Sequence, residues 1–421
     1  MKKIANKGTR IKRYLEMQAM TEKQMHFEEA MTTIQSLIGL GMSAATERIQ
    51  AEFAGLVGQR YEHGKAVGPW GSNPGSIYLG DQKVAIEVPR ARNARTGEEA
   101  RLASYERLQS PRVIEDLSLR RVINGISMRK YEEAALSVPD TFGISRDSVS
   151  RRWIRASAKK LAALNERSLS GYDIAAIFLD GKHFSTDHEI IVALGVTVTG
   201  EKVILGMVET STENYVVCRD FVRSLLDRGL RTEDPILCII DGGKGLYKGL
   251  KEILGEQAVI QRCQWHKREN VLKYLPKARQ DEFRRKLQGA YEQPTYETAK
   301  KALETIKREL RGVNVSAVNS LEEGFEETLT LHRLGMFKKL GRSFKTTNVI
   351  ENVNSLLGIY TDRVDYWKNS EQRQRWVATA LLQIEPRLKA VCGYRHLLEL
   401  RSAMTLLIKK QKKEEELKAA A

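Results

Sequence analysis

Two apolar runs constrain this chain more than anything else in it. Residues 172–184 read YDIAAIFLDGKHF and residues 235–246 read PILCIIDGGKGL. Each apolar stretch has strand length and stops at an Asp-Gly pair, Asp180-Gly181 and Asp241-Gly242. Between them, EIIVALGVTVTGEKVILGMVET reads as two strands about Thr199-Gly200. The following ENYVVCRDFVRSLLDRG reads as an amphipathic helix ended by Gly229. The order strand, strand, strand, helix, strand predicts an α/β sheet with both acids just past the end of a buried strand. In open α/β sheets that edge is where ligands bind.

Asp-Gly is also a common turn dipeptide, so either pair alone says little. Together, two strands whose acids lie 61 residues apart deliver carboxylates to one sheet edge. Held close, these repel unless divalent cations lie between them. Such an oxygen-rich site suits Mg²⁺, with Mn²⁺ as substitute, because Mg²⁺ takes few carboxylates and keeps water or phosphate as its other ligands. A pair of such ions serves phosphodiester chemistry. The segment KTTNVIENVNSLLGIYTDR offers a third acid, Glu351. It predicts a helix capped at Thr346 or Thr347, with Val349, Ile350, Val353, Leu356 and Leu357 as its apolar stripe. Glu351 lies at the stripe's margin, with Asn348 and Ser355 on the same side. A carboxylate there is also the ordinary surface residue that packs its stem.

The chain has 421 residues, 69 Lys+Arg and 53 Asp+Glu, a net charge of +16. Residues 1–170 hold 28 Lys+Arg against 19 Asp+Glu, more than half of that excess. The balance points to a polyanionic partner, nucleic acid before membrane. Four scattered cysteines exclude a disulfide framework, and the longest apolar runs are strand-length, which excludes a transmembrane span. The basic N-terminus has no apolar core, so a secretory signal is excluded and a cytoplasmic, nucleoid-associated protein is expected. Residues 27–61 predict a helix broken near Gly39 and Gly41. Residues 64–74 are Gly- and Pro-rich and read as a linker, followed by a hairpin turning at Gly80-Asp81. Next comes SMRKYEEAALSVPDTFGISRDSVSRRWIRASAKK. It predicts a helix over 127–136, a break at Pro139 and Gly143, and a second helix opening at Ser145. Val149, Trp153 and Ile154 would face inward. Arg146, Ser148, Ser150, Arg151, Arg152 and Arg155 would face outward. This fits a helix-turn-helix with its second helix in a DNA major groove. A helical hairpin with a solvated basic face has the same pattern.

The set resembles the Mutator-type transposases of bacterial insertion sequences. It consists of GISMRKYEEAAL with GISRDSVSR, Asp180-Gly with GVTVTGEKVILG, IIDGGKGL, QRCQWH and TTNVIENVN, in the family's order from about residue 30 to 390. The resemblance implies a multidomain α/β plus α protein. Its ribonuclease-H-like mixed sheet would be interrupted by an all-helical insertion and preceded by helical and helix-turn-helix DNA-binding domains. Asp180, Asp241 and Glu351 would be the catalytic and metal-binding triad, with Mg²⁺ as cofactor. The expected boundaries are 1–63 for a helical region, 64–110 for the linker and hairpin, and 111–168 for the helix-turn-helix. The catalytic domain would occupy 169–266 and resume over 336–400, with the insertion at 267–335 and a charged tail over 401–421. The helical periodicity of 267–335 agrees with an insertion.

The resemblance implies binding of terminal inverted repeats and target DNA, hydrolysis and strand transfer, a homodimer on paired ends and a circular intermediate. It assigns Cys263 and His266 to the flank of the active site, with Asn270 downstream. Equally, the pair reads as a buried Cys and a hydrogen-bonded His that support the fold. A zinc site shared with Cys392 and His396 is disfavoured by their separation in sequence. Glu269 stands where the family has Arg, and Val217, Cys218 and Arg219 where it has a Trp. Tyr366-Trp367-Lys368 replaces its Phe-Pro-Asn. An inactive or domesticated relative acting as a repressor or architectural DNA-binding protein is the alternative, and it would be marked by a lost acid.

Overall fold

The computed structural model describes residues 27–58, 66–79, 82–109, 119, 122–124, 146–185, 188–211 and 214–419. The chain divides into two compact units, residues 1–156 and 157–421.

In the first unit, α1 (Phe27–Val57) is one uninterrupted helix. The break expected at Gly39 and Gly41 does not occur. Each helical Gly costs only about 1 kcal/mol relative to Ala, and the helix carries Ala45 and Ile49 beyond them into a buried cluster. That cluster is completed by the hairpin of β1 (Val67–Leu79) and β2 (Gln82–Asn93), which supplies Ile77 and Val88. β3 (Glu99–Ala100) pairs with β2, and α2 (Ala103–Leu108) follows. Leu102 cannot cap α2. Glu52 of α1 does so instead, accepting from the Ala103 and Ser104 amides at 2.8 Å each.

The hairpin lies where the alternation places it, but β1 starts inside the stretch that reads as a linker. Its prolines are tolerated because β1 is an edge strand. Its register slips between Pro69 and Ser72 at Gly71, whose φ is +92°. The turn at Gly80-Asp81 lies outside the described residues, as do the helix expected over 127–136 and the break after it.

The basic helix, α3 (Arg146–Asn165), runs through the boundary between the units. Val149 and Trp153 are buried as expected, whereas Ile154 is 43% exposed.

The second unit is built on a mixed five-stranded sheet. Its strands are β4 (Ile174–Ser185), β5 (His188–Thr197), β6 (Lys202–Thr210), β7 (Ile236–Ile240) and β8 (Ala258–Arg262). They lie in the order β6-β5-β4-β7-β8. The first three form an antiparallel meander, and β7 and β8 run parallel to β4. Strand β8 is not evident from the sequence, because Gln261 and Arg262 read as polar; both are buried.

Residues alternate between the two sheet faces. On one face Ile177 and Leu179 of β4 join Ile236, Cys238 and Ile240 of β7. There they meet α4 (Tyr215–Asp227) and α5 (Lys244–Leu254). On the other face Phe178 stacks on Phe344, with ring centroids 5.6 Å apart.

Four helices follow β8 in sequence: α6 (Gln264–Leu272), α7 (Lys277–Tyr291), α8 (Tyr296–Arg311) and α9 (Val315–Glu322). They enclose a separate core that includes Val271, Phe283, Leu287, Leu303 and Leu321. Short helices α10 (Phe325–Thr328) and α11 (Thr330–Arg333) return the chain to β8. Then come α12 (Phe337–Phe344), α13 (Asn348–Thr361), α14 (Ser370–Ile384) and α15 (Leu397–Ala419). Of these, α13 and α15 contact β4, and α14 contacts β6. Among the described residues no helix is long and apolar enough to cross a membrane.

Candidate active site

Strand parity and register bring the first two acids together. Phe178 pairs with Ile239 and Leu179 with Ile240 across the parallel β4–β7 ladder. One residue further along are Asp180 and Asp241. Parity puts both on the face of Phe178 and Ile239, away from the α4–α5 core. Neighbouring strands are about 4.8 Å apart, so two carboxylates at this register repel each other. Asp241 Oδ1 accepts from the Gly243 amide at 3.0 Å, which fixes the turn after β7. Gly242 makes that turn with φ +116°. A Cβ there would stand 2.0 Å from Arg262 Nε.

Glu351 arrives on α13. Ile350, Val353 and Leu357 of that helix are buried, while Val349 and Leu356 of the expected stripe are only half-buried. The first turn is anchored by Thr347, which is fully buried. Its hydroxyl donates to Glu351 Oε1 at 2.5 Å. The Thr347 hydroxyl oxygen also lies 3.3 Å from His266 Nδ1 and 3.4 Å from Cys263 Sγ. His266 Nε2 in turn is 4.0 Å from Glu351 Oε1. Cys263 and His266 belong together because Cys263 is the N-cap of α6, its sulfur accepting from the His266 amide at 3.5 Å. One arrangement therefore gives this pair both support of the fold and proximity to the acids.

The electrostatics follow from this crowding. Burial, then the charges of Asp241 and Glu351, push the Asp180 carboxyl up to about 7, against the opposing effects of His266 and of a hydrogen bond from Asn354. Burial would lower the His266 pKa, but the Cys263 thiol and the negative charges of Asp241 and Glu351 raise it to about 9. His266 is then an imidazolium at neutral pH. Burial works to raise the Cys263 pKa, yet hydrogen bonding with His266 and Thr347 leaves it below the usual thiol value.

Two residues of the site escape the sequence reading. Asn354 donates from Nδ2 to Asp180 Oδ2 at 2.8 Å, while its own Oδ1 is buried without a hydrogen-bond partner. It stands three residues after Glu351, one helical turn on, and that spacing is the available signal. Asn348, expected in the site, is exposed. The other is Lys267, whose side chain is fully buried. Its Nζ donates to the Ser320 carbonyl at 2.6 Å and the Glu323 carbonyl at 2.5 Å. Arg262 donates to the Glu323 carbonyl at 2.8 Å and to the Gly242 carbonyl at 3.2 Å. The end of α9 is thereby tied to the turn that follows Asp241. Gln261 and Gln264 extend the tie by donating to the Thr328 carbonyl at 3.0 and 2.9 Å.

Among the described residues, no group of three or more His, Cys, Asp and Glu side chains closes into a cage for one ion. The donor chemistry nevertheless fits a hard cation. Mg²⁺ takes only one or two carboxylates and fills its remaining positions with water or phosphate. A divalent cation would also offset the burial and the repulsion that hold Asp180 partly protonated.

The basic helix departs from expectation at Arg152 as well as at Ile154. Arg152 is buried and its guanidinium lies over the Tyr78 ring, 4.9 Å from the centroid, so it packs the first unit instead of facing outward. Arg151 and Arg155 are exposed and Ser150 is half-buried. The side chains of Arg146 and Ser148 lie outside the described residues.

The chain is 30% identical over 204 residues to the transposase for insertion sequence element IST2 of Acidithiobacillus ferrooxidans, covering 48% of this chain and 67% of that one. It is 26% identical over 304 residues to the transposase for ISRM5 of Rhizobium meliloti, covering 70% and 73%. It is 24% identical over 356 residues to the transposase for IS905 of Lactococcus lactis, covering 80% and 86%. The sequence pattern described as "Transposase, Mutator family" matches residues 12–389. That span takes in both candidate aspartates, the helices between β8 and α12, and Glu351 in one continuous match, and the chain belongs to the Mutator family of transposases.

Proposed function

We propose that this protein is a metal-dependent DNA transposase that acts on the terminal repeats of an insertion sequence and transfers the freed end to a target strand. In this reading the five-stranded unit is a ribonuclease-H-like catalytic domain and α6–α9 are its helical insertion. The helix-turn-helix around α3 grips DNA, with Arg151 and Arg155 on phosphates, and a homodimer pairs two ends. The observation that carries the reading is the shared register and face of Asp180 and Asp241, with Glu351 turned toward the same cluster.

Asp180, Asp241 and Glu351 would hold Mg²⁺, or Mn²⁺ in its place. A bound pair of such ions supplies charge to the attacking and leaving oxygens of an in-line displacement. The chain's own residues do the positioning. Asn354 fixes one Asp180 oxygen, and the Gly243 amide fixes one Asp241 oxygen. Thr347 aims Glu351. The His266 imidazolium offsets part of the acids' charge and attracts a phosphate. Water attacks the phosphorus at the element's end, the P–O3′ bond breaks, and the 3′ oxygen leaves as a hydroxyl. That hydroxyl then attacks a phosphodiester of the target strand, which breaks in the same way.

The test is a cleavage and strand-transfer assay on the inverted repeats that flank the gene, with Mg²⁺, comparing wild type with Asp241→Asn. Asparagine keeps the size and the acceptor for the Gly243 amide but removes the charge. The expected result is cutting by wild type and binding without cutting by the variant. Equal cutting by both would reject the site. Binding by both with no cutting by either would favour a DNA-binding relic.

A further inference from the structure

We propose that the indole of Trp265 is a stacking platform for an unpaired base beside the phosphate that the acids attack. This rests on the transposase reading above and adds the portion of the DNA that the site receives.

Trp265 is the second residue of α6 and is 45% exposed. Its neighbours in sequence point the other way: Gln264 and Lys267 are buried. They fasten the start of the helix through Thr328, Ser320 and Glu323, and the Gln264 amide donates to the Lys345 carbonyl at 3.0 Å. The indole therefore stands on a rigid base. It meets the His266 ring edge-on, with centroids 4.8 Å apart and planes at 76°. Nε2 of that imidazole lies 4.0 Å from Glu351 Oε1. One side chain thus separates an exposed aromatic surface from a candidate catalytic carboxylate.

A large apolar ring left in water is unfavourable by itself. Beside a phosphodiester site, the matching ligand is a nucleobase, which offers a π-face whatever its identity. Where a duplex end opens around the reacting phosphate, an aromatic partner offsets the lost base stacking.

The probe is a duplex of the flanking terminal repeat with 5-iodouracil at the nucleotides on either side of the cleaved phosphate. Photocrosslinking in the Asp241→Asn background reads the contact without chemistry. The expected crosslink maps to Trp265 and disappears in Trp265→Ala. In the wild-type background, Trp265→Ala should cut the paired duplex roughly 5- to 150-fold more slowly, the factor equivalent to about 1–3 kcal/mol per stacked base. Trp265→Phe should retain most of the rate. A mismatch at the flanking base should restore the Ala variant toward wild type, because the base is then already unpaired. Absence of the crosslink together with an unchanged rate for Trp265→Ala overturns the proposal. So does a loss of rate that is the same on paired and mismatched DNA, which is the mark of a structural role. In either case, cutting by wild type and its loss in Asp241→Asn keep the transposase reading standing. If wild type does not cut at all, that reading fails and takes this one with it.

Discussion

Replacing Asp180 with Asn should make the metal-free protein more stable at neutral and higher pH, while abolishing the proposed chemistry. The acid is half-buried, within reach of Asp241 and Glu351, and its pKa is pushed from 3.8 up to about 7. A carboxyl whose native pKa exceeds its unfolded value binds its proton more tightly in the folded state. Its contribution is fully favourable below pH 3.8, declines as pH rises, and is lost above about 7. A shift of about 3 units at ~1.4 kcal/mol each bounds the penalty at about 4 kcal/mol. The site is half-buried and solvent screens part of this interaction, so a gain of about 2 kcal/mol is expected. The substituted amide oxygen still accepts from Asn354. The assay is denaturant unfolding of wild type and Asp180→Asn in chelator across pH 4 to 9. The two should converge near pH 4 and diverge up to about pH 7. Adding Mg²⁺ at pH 8 should stabilise wild type and leave the variant nearly unmoved, because the cation takes over the charge balance. Equal stability of the two proteins at pH 8 in chelator, or a difference already complete at pH 4, would show that the crowded acids do not set the stability of this site.

Lys267 reverses the sign. Burial and the charge of Arg262 lower its pKa from 10.5 to about 8, so the unfolded chain holds the proton more tightly and wild-type stability should rise with pH across that window. Relative to Lys267→Met the rise should reach about 3 kcal/mol by unfolding titration. Gly242→Ala puts a Cβ against Arg262 at a φ of +116°, costing about 1–3 kcal/mol. Because the strain falls next to Asp241, the cleavage rate should fall more steeply than stability. Thr347→Val removes the 2.5 Å contact with Glu351 and should slow cleavage by roughly 10- to 100-fold. Thr347→Ser should restore most of the rate, measured in single-turnover assays.

The tie between α9 and the turn after Asp241 gives the helical segment a mechanical consequence. Arg262 holds the Gly242 carbonyl with one nitrogen and the Glu323 carbonyl with another. A displacement of the end of α9 would therefore be felt at the residue adjoining a candidate catalytic acid. Buried polar ties of this type are costly to break singly, since each orphaned carbonyl loses about 1–3 kcal/mol.

The features legible along the chain are local and periodic. The apolar runs before Asp180 and Asp241 announce strands ending in acids, and the spacing in 345–363 announces the helix that carries Glu351. Alternation and helical periodicity are written in adjacent residues, so a single pass along the chain reads them. Which polar residues turn inward is settled by long-range packing instead. Gln261 looks like a surface residue until Thr328, 67 positions away, supplies its acceptor. Lys267 is buried only because the end of α9 presents two carbonyls, and Arg152 only because Tyr78 presents its ring. Asn354 joins the site when α13 is laid against β4. A polar side chain goes inside only where a partner waits for it, and the local pattern carries no record of partners that the fold brings from afar.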